Sequence, residues 1–330
     1  LAANQAERLA QNIVSNLTRE YNLDGLTYNS SASIGVTLFN SENLSRVDLL
    51  KQADMAMYKA KYAGRNGVQF FDPQMQVAVS SRASIVSDLY SAIQSQQFVL
   101  FYQKQVNHLE QCIGVEVLLR WIHPEKGMVS PLQFIPLAEE TGLIVPISKW
   151  VLEEACATLA KWSLESEKQH LSIAVNISVV QFSKDNFVQT VLNALKTSGA
   201  NPQLLKLEIT ETLLANNIPA VKAKMKELQQ HGVTFSIDDF GTGYSSLSYL
   251  KQLPINQLKI DQGFVRDIIN SSNDRAIAQA VITLANSMEL QVIAEGVETE
   301  AQRALLQSMG CHTYQGYLYG KPCRIEELHF

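Results

Sequence analysis

Two adjacent aspartates, Asp238 and Asp239, directly follow a short apolar strand pattern that ends at Ile237. Adjacent carboxylates repel each other unless a cation or solvent lies between them. Two interpretations fit the pair by itself. One is a solvated strand exit that caps the next helix. The other is a site for one or two divalent ions at the mouth of an α/β barrel.

Polar residues also recur at the ends of the other apolar segments. They are Glu116, Arg120, Asn176, Glu208, Glu211, Lys259, Asp261, Glu295, Glu298 and Gln315. One polar group in an apolar strand is often structural, but carboxylates on several strands cannot all stay ionised inside a protein without cations. Because the candidate ligands are oxygens, with no Cys or His among them, the set favours Mg²⁺ or Mn²⁺ over zinc.

The composition is that of a globular protein, with 330 residues, 46% hydrophobic and 18% charged, and a net charge of −5. This length suffices for a barrel of about 250 residues and a smaller piece. We see no basic stripe for a nucleic-acid polymer and no apolar run of the roughly 20 residues that a membrane span needs, so we expect neither partner for this fragment.

The four cysteines lack CxxC spacing, which favours reduced thiols and a cytoplasmic location. Membrane tethering of the full-length protein stays open.

Apolar segments alternate with helical patterns from residue 98 onward. We place strands near 98–106, 113–121, 171–178, 204–210, 233–238, 257–261, 291–295 and 314–318. Helical patterns cover 131–165 in two pieces, 180–198, 217–231, 245–252, 272–288 and 299–309, and 75–96 reads as a connecting helix. This alternation predicts a parallel sheet, and eight strands predict closure into a barrel.

One connection departs from the parallel pattern. Only six residues separate Val106 from Ile113, whereas a parallel crossover takes about a dozen or more. The first strand should therefore be antiparallel to the second and joined to it as a hairpin. The predicted fold is α/β, a modified TIM (β/α)8 barrel whose first strand is antiparallel.

The residues before 73 form a separate, partial α/β pattern. A strand pattern over 31–39, a helix over 47–63 and a strand over 68–71 are too few to bury both faces of a sheet. We therefore expect this domain to start upstream of Leu1.

Two segments of this region are distinctive, Ser33-Ile-Gly-Val36 and Ala53-Asp-Met-Ala-Met-Tyr-Lys-Ala-Lys-Tyr-Ala-Gly-Arg-Asn66. Together they resemble the C-terminal half of a GGDEF (diguanylate cyclase) domain. In that family, the residues that match Lys61 and Arg65 contact nucleotide phosphates. The family's signature loop is not in this sequence, so we expect no cyclase activity from it and a solvated surface role for both cations.

The remainder of the sequence contains a series of short motifs in a fixed order. They are Tyr102-Gln103, Glu116-Val-Leu118, Arg120-Trp-Ile-His-Pro124, Asn176, Leu207-Glu-Ile-Thr-Glu211, Asp238-Asp-Phe-Gly-Thr-Gly-Tyr-Ser-Ser-Leu247, Lys259-Ile-Asp261, Glu295-Gly-Val-Glu298 and Gln315-Gly-Tyr317. With these motifs, the region from about residue 84 to 330 resembles a complete EAL domain, the cyclic-di-GMP phosphodiesterase family. The predicted organisation is 1–72 for the GGDEF portion, 73–83 for a linker helix and 84–330 for the EAL domain.

The EAL resemblance implies two Mg²⁺ or Mn²⁺ ions. The implied ligands of the first ion are Glu116, Asn176, Glu208 and Asp238. Asp238 would bridge to the second ion, which Asp239 also binds. Glu295 is the implied general base or a ligand of the second ion, and the sequence does not separate these roles.

The resemblance also implies roles around the metals. Lys259 would orient the attacking water, Asp261 would position Lys259, and Glu211 would brace the loop that follows Asp238. Residues that would bind the substrate are Gln103, Leu118, Arg120, Glu298 and Gln315.

The implied reaction is hydrolysis of cyclic di-GMP to linear 5′-pGpG in bacterial second-messenger signalling, by a protein that is expected to be a homodimer. Two departures from the family pattern bear on turnover, because Val117 replaces the usual Ala and Lys104 replaces the usual Pro. An alternative is a catalytically weak or inactive cyclic-di-GMP receptor module. A third is an unrelated barrel such as an aldolase, for which Lys259 would have to form a Schiff base.

Overall fold

The protein is described by a computed structural model over residues 2–23, 26–39, 44–214, 217–241 and 250–330. It divides into two compact units, Leu1–Asp88 and Leu89–Phe330. Within the described ranges, no helix combines the length and the apolar character that crossing a bilayer requires.

The first unit is a small α/β unit. Its elements are α1 (Ala2–Leu17), β1 (Glu20–Leu23), β2 (Leu26–Asn29), β3 (Ile34–Val36), α2 (Arg46–Tyr62), β4 (Val68–Phe70) and the first part of α3 (Pro73–Gln94). The antiparallel pair of β1 and β2 was not predicted, whereas the parallel pair of β3 and β4 around α2 confirms the predicted strand–helix–strand order. α2 begins after Ser45, whose hydroxyl accepts a hydrogen bond from the Asp48 amide and so satisfies a free N–H of the first turn.

The second unit carries the long series of strands and helices. In chain order they are β5 (Phe98–Asn107), β6 (Cys112–His123), β7 (Gly127–Val129), α4 (Pro131–Thr141), α5 (Ile144–Trp162), β8 (Ser172–Asn176), α6 (Val179–Phe182), α7 (Phe187–Ser198), β9 (Leu205–Thr210), α8 (Glu211–Leu214), α9 (Ile218–Gln230), β10 (Thr234–Phe240), β11 (Gln257–Ile260), α10 (Gln262–Arg266), α11 (Ser272–Ser287), β12 (Gln291–Ala294), α12 (Glu300–Ser308) and β13 (Thr313–Gln315). Every predicted strand is present. The helix predicted over 245–252 falls mostly on residues outside the described ranges.

Among the described residues, the strands of this unit form one sheet that closes on itself. The order is β5-β13-β12-β11-β10-β9-β8-β6-β7, and pairing of β5 with β6 completes the ring. β5 is antiparallel to both β6 and β13, while the consecutive pairs from β6 through β8 to β13 are parallel. The predicted hairpin and the modified barrel are therefore confirmed. β7 is an additional antiparallel strand beside β6.

The alternation within β9 explains how the barrel places polar groups inside. Leu205, Leu207 and Ile209 are almost fully buried and alternate with Lys206 and Glu208. The latter two contact side chains of β11, which lies beyond the intervening β10. Such contacts are possible only on the inner face, so the apolar residues point toward the surrounding helices. Burial of each contributes about 1.5–3 kcal/mol, which holds the strand in this register.

The surrounding helices are amphipathic, as the spacing of their apolar residues requires. In α5 the buried positions include Ile144, Ile147, Val151, Leu152, Ala155 and Leu159. α12 begins with a reciprocal capping box, in which Thr299 and Gln302 each bond to the other's backbone N–H.

Candidate functional site

Lys259 lies in a group of carboxylates inside the barrel, near the carboxyl ends of the strands. Its Nζ is 2.5 Å from Glu295 Oε1, 2.6 Å from Glu208 Oε2, 3.1 Å from Asp238 Oδ1 and 3.5 Å from Glu116 Oε2. The residue is 1% exposed. These side chains come from β6, β9, β10, β11 and the residue after β12, so closure of the barrel brings them together.

The negative charge of this group exceeds what one ammonium can balance. Burial raises the pKa of Glu208 to about 8, although the neighbouring Lys259 lowers it. Burial likewise raises the pKa of Glu295 well above its ordinary value. For Lys259, burial acts to lower the pKa, but the adjacent carboxylates outweigh it and the pKa lies well above its usual range. A divalent cation would relieve this imbalance.

A β-bulge brings Asp238 and Asp239 to the same side of β10. In a regular strand, successive side chains point to opposite faces. Here the pairing of β10 with β11 shifts between Ile237 and Phe240, and Asp239 has a left-handed φ of 53°, which is uncommon for a residue other than glycine. Oxygens of Asp238, Asp239 and Glu295 all lie within 4.8 Å of one another. This is the spacing of atoms that can share a metal ion.

Glu116 and Glu208 have orientations that suit ligands. Asn176 Nδ2 donates to Glu116 Oε1 at 2.6 Å, and Gln315 Nε2 donates to Glu116 Oε2 at 2.5 Å. Glu208 Oε1 is buried without a hydrogen-bond partner, and so is Glu295 Oε1, whose close contact with Lys259 lacks hydrogen-bond geometry. A buried hydrogen-bond acceptor without a donor costs free energy of folding. Oxygen ligands of this kind suit Mg²⁺ or Mn²⁺.

Two more acidic residues support the backbone around this group. Asp261 precedes α10, and its Oδ1 accepts a hydrogen bond from the Gly263 amide at 2.9 Å. Burial, followed by the charges of Asp238 and Asp261, raises the pKa of Asp239 to about 6. Asp261 thus lies beside the aspartate pair.

Glu211 connects β9 to the segment after the aspartate pair. Its Oε1 accepts a hydrogen bond from the Gly241 amide at 2.9 Å, and its Oε2 is buried without a partner. The predicted bracing of the loop by Glu211 extends to Ser246, which lies outside the described residues, so this role stays a prediction.

The predicted substrate-binding residues have different surroundings. Leu118 and Arg120 follow Glu116 at alternate positions of β6, and the Arg120 guanidinium lies 5.6 Å from the centre of the Phe101 ring. Glu298 is exposed after β12. By contrast, Gln103 and Gln315 are 8% and 4% exposed, and both make hydrogen bonds inside the protein.

The two departures from the family pattern fit the strands without interrupting them. Val117 is 2% exposed and pairs with Tyr102. Lys104 pairs with Val115 in the same regular ladder. Neither residue therefore displaces Glu116 from the acidic group, in which its carboxylate contacts Lys259.

The sequence interpretation missed a deeper polar layer of the barrel. Lys206 Nζ donates to Gln257 Oε1 at 2.9 Å, and Ser236 is fully buried, with an Oγ that has no partner. Gln105, which is 1% exposed, donates to Gln315. Each of these residues precedes or follows a predicted site residue by two positions, so strand alternation was the signal that would have found them.

Protein-family models cover most of the chain. The model described as EAL domain matches residues 86–322, and the model described as diguanylate cyclase, GGDEF domain, matches residues 1–67. These matches agree with the two regions that the sequence motifs distinguished.

Curated relatives match nearly the whole chain. It is 43% identical over 324 residues to the bifunctional diguanylate cyclase/cyclic di-GMP phosphodiesterase MucR of Pseudomonas aeruginosa. This match covers 98% of this chain and 47% of the relative. It is 38% identical over 325 residues to the cyclic di-GMP phosphodiesterase NbdA of the same organism. That match covers 98% of this chain and 41% of the relative. The chain therefore spans less than half the length of these relatives.

Solved structures resemble the barrel closely. The PaMucR phosphodiesterase in complex with c-di-GMP is 45% identical, with a TM-score of 0.72, and the match covers 74% of this chain and 100% of that one. The EAL enzyme Bd1971 in its cAMP- and cyclic-di-GMP-bound form is 31% identical, also with a TM-score of 0.72, and the match covers 86% and 75%.

Proposed function

The chain belongs to the EAL domain family, and from that premise we propose that it hydrolyses cyclic di-GMP to linear 5′-pGpG with the help of divalent metal ions. The observation that carries the proposal is the group of buried carboxylates that contact Lys259, four carboxyl groups around one ammonium among the described residues. The names of the relatives support the choice of substrate.

We propose that two ions, Mg²⁺ or Mn²⁺, bind here. The first would be held by Glu116, Asn176, Glu208 and Asp238, and the second by Asp238 and Asp239. The buried oxygen of Glu208 without a hydrogen-bond partner supports this assignment. When bound, such ions lower the pKa of a coordinated water and neutralise charge on phosphoryl oxygens.

The protein's own residues would accept the proton of the attacking water and orient the reacting groups. Glu295 has two possible roles, as the base that takes the proton of the attacking water or as a ligand of the second ion. Its buried Oε1, which has no hydrogen-bond partner, supports either role. Lys259 Nζ would orient the water and stabilise the developing charge, Asp261 would position Lys259, and Glu211 would brace the segment that begins at Gly241.

For the substrate, we propose that Arg120 binds a phosphate and Leu118 packs against a base. An arginine can donate two parallel hydrogen bonds to one phosphate. The alternate positions of Glu116, Leu118 and Arg120 along β6 support a single substrate path from the carboxylates outward. Gln103, Glu298 and Gln315 would complete the binding of the guanine edges.

The decisive experiment is a product assay with purified protein and cyclic di-GMP, read by chromatography. We expect pGpG with Mg²⁺ or Mn²⁺ and none in EDTA. Ca²⁺ keeps oxygen ligation but relaxes its geometry, so we expect it to support binding while lowering turnover by about 10²-fold or more, since one misplaced reacting group costs this much.

Two outcomes would contradict this proposal. Equal turnover in EDTA and in Mn²⁺ would exclude a metal-dependent reaction. Tight binding of cyclic di-GMP in EDTA, with no product after long incubation with either metal, would identify a receptor module instead.

Metal binding is expected to release protons near neutral pH. The pKa of Glu208 is about 8 without metal, and that of Asp239 is about 6, whereas a carboxylate ligand must be deprotonated. The affinity for Mn²⁺ should therefore rise as the pH increases from 6 to 8. Calorimetric titration at pH 7 in two buffers of different ionisation enthalpy would show different apparent heats. Well above pH 8 the difference should vanish, and identical heats at pH 7 would refute the prediction.

The remaining assignments are also proposals. We propose that residues 1–72 are the C-terminal portion of a GGDEF domain, that 73–83 form a linker helix and that 84–330 are the EAL domain. We further propose that the domain acts in the cytoplasm as a homodimer, which light scattering during size-exclusion chromatography would test.

A further inference from the structure

A chain of buried glutamines leads from β5 and β13 to Glu116. Gln105 Nε2 donates to Gln315 Oε1 at 3.0 Å, and Gln315 Nε2 donates both to Glu116 Oε2 at 2.5 Å and to Gln103 Oε1 at 3.1 Å. Gln103 Nε2 in turn donates to the Gly320 carbonyl at 3.1 Å. Gln105 and Gln315 are 1% and 4% exposed, so solvent has little access to replace one of these donors.

The strand register accounts for this arrangement. Gln315 is paired with Gln105 between β13 and β5, and Gln103 is paired with Glu116 between β5 and β6. Residues 103 and 105 share one face of β5 because side chains alternate along a strand. Gly316 permits a close approach of the Val297 backbone, because a Cβ at position 316 would clash with the Val297 carbonyl oxygen. The position of Gln315 is therefore set by backbone on both sides.

The polarity of the Gln315 amide matters because its two ends are not equivalent. Its NH₂ group has two hydrogens, and Glu116 and Gln103 accept one each, while its oxygen accepts from Gln105. Reversal of this amide would place its oxygen against the Glu116 carboxylate, where the two acceptors would repel. Gln105 favours the observed orientation, since it offers a donor to the oxygen.

We propose that Gln105 is a positioning residue, which holds the Gln315 amide and through it the Glu116 carboxylate. The inference rests on the proposed function, because the orientation of the Glu116 carboxylate matters for metal binding only if Glu116 is a metal ligand. Without the Gln105 donor, Gln315 Oε1 would be buried and unpaired, unless the amide rotated away from Glu116. Loss of a partner behind a metal ligand typically costs about 10–100-fold in metal affinity.

The test measures Mn²⁺ affinity by calorimetry, without nucleotide, for wild type and Gln105→Met. Methionine has a similar length but no hydrogen-bond donor for the Gln315 oxygen. Val191→Ala is the control, because Val191 is a fully buried core residue of α7 and its truncation destabilises the fold without touching this chain of glutamines. Thermal denaturation in EDTA reports the stability of each variant.

We expect Gln105→Met to weaken Mn²⁺ binding by about 10-fold. This is the lower end of the range for residues that bond a metal ligand directly, because Gln105 acts on Glu116 only through Gln315. Val191→Ala should stay within about twofold of wild type. In the hydrolysis assay, kcat of Gln105→Met should fall. Wild-type affinity in Gln105→Met would overturn the inference, as would an equal loss of affinity in Val191→Ala. A wild type that binds Mn²⁺ but forms no pGpG would instead refute the proposed function.

Discussion

Replacement of Glu116 by alanine is expected to abolish hydrolysis of cyclic di-GMP, with a loss in kcat of about 10³-fold or more. Such a factor corresponds to about 4 kcal/mol of transition-state stabilisation, which is within what a bound metal supplies. Glu116 is 5% exposed, and both of its oxygens are held by neighbouring amides, from Asn176 and Gln315. Its removal takes away a prearranged ligand and leaves those two donors without their acceptor.

The measurement is pGpG formation at saturating Mn²⁺, together with Mn²⁺ affinity and a thermal denaturation curve. Glu153→Ala is a suitable control, because Glu153 is an exposed carboxylate on α5 that pairs weakly with Lys149 at 3.8 Å. It should match wild type in every measurement. If Glu116→Ala retained more than about a tenth of wild-type kcat, the assignment of Glu116 as a metal ligand would be wrong.

Replacement of Lys259 by methionine is expected to destabilise the metal-free protein strongly. The Nζ of Lys259 is the cation that Glu208, Asp238 and Glu295 contact. Loss of one partner of a buried ion pair costs about 3–5 kcal/mol, which for a domain of this size lowers Tm by about 10 °C. Bound Mn²⁺ should restore much of this loss, since it supplies positive charge to the same carboxylates and binds the folded state.

The stability of the metal-free protein is expected to fall as the pH rises. The folded-state pKa of Glu208 is about 8, against an ordinary value of 4.5. A carboxyl group with a raised pKa keeps its proton in the folded state, so its contribution to stability is complete below pH 4.5 and is lost as the pH rises toward 8. Without Lys259 nothing offsets the burial, and the loss with rising pH should be steeper.

Thermal denaturation of Lys259→Met in EDTA and in Mn²⁺, at pH 6 and at pH 8, measures both effects. Lys226→Met is the control, because Lys226 is exposed on α9 and its loss should leave Tm unchanged. A Tm in EDTA equal to that of wild type would show that the carboxylates do not depend on Lys259. At saturating Mn²⁺, where stability is largely restored, turnover should still fall, because the Lys259 ammonium faces Glu295.

Much of the fold followed from patterns that are local in the sequence. The alternation of apolar segments with helical patterns predicted the barrel, and the six-residue connection after Val106 predicted the antiparallel first strand. The types of residue at the strand ends indicated oxygen ligands. The β1–β2 pair and β7 were missed because they are antiparallel additions outside the strand–helix alternation, by which strands as short as β11 and β12 were found.

The contacts of the site could not be predicted in the same way, since they depend on how the barrel closes. That the Asp239 side chain lies beside Asp238 requires the bulge in β10 and a left-handed φ of 53°. That Gln315 faces Glu116, with Gln105 behind it, requires the register of three strands that are distant in the chain.

The sequence by itself therefore determined the family, the order of the strands and the identity of the acidic side chains, because residue type and period are properties of the local chain. Only the tertiary structure decided that Lys259 contacts carboxylates from four other strand ends and that Glu208 has a pKa of about 8. The physical reason is that Coulomb energies and desolvation depend on distance and burial, and both are set when separate strands are brought within a few ångströms of one another.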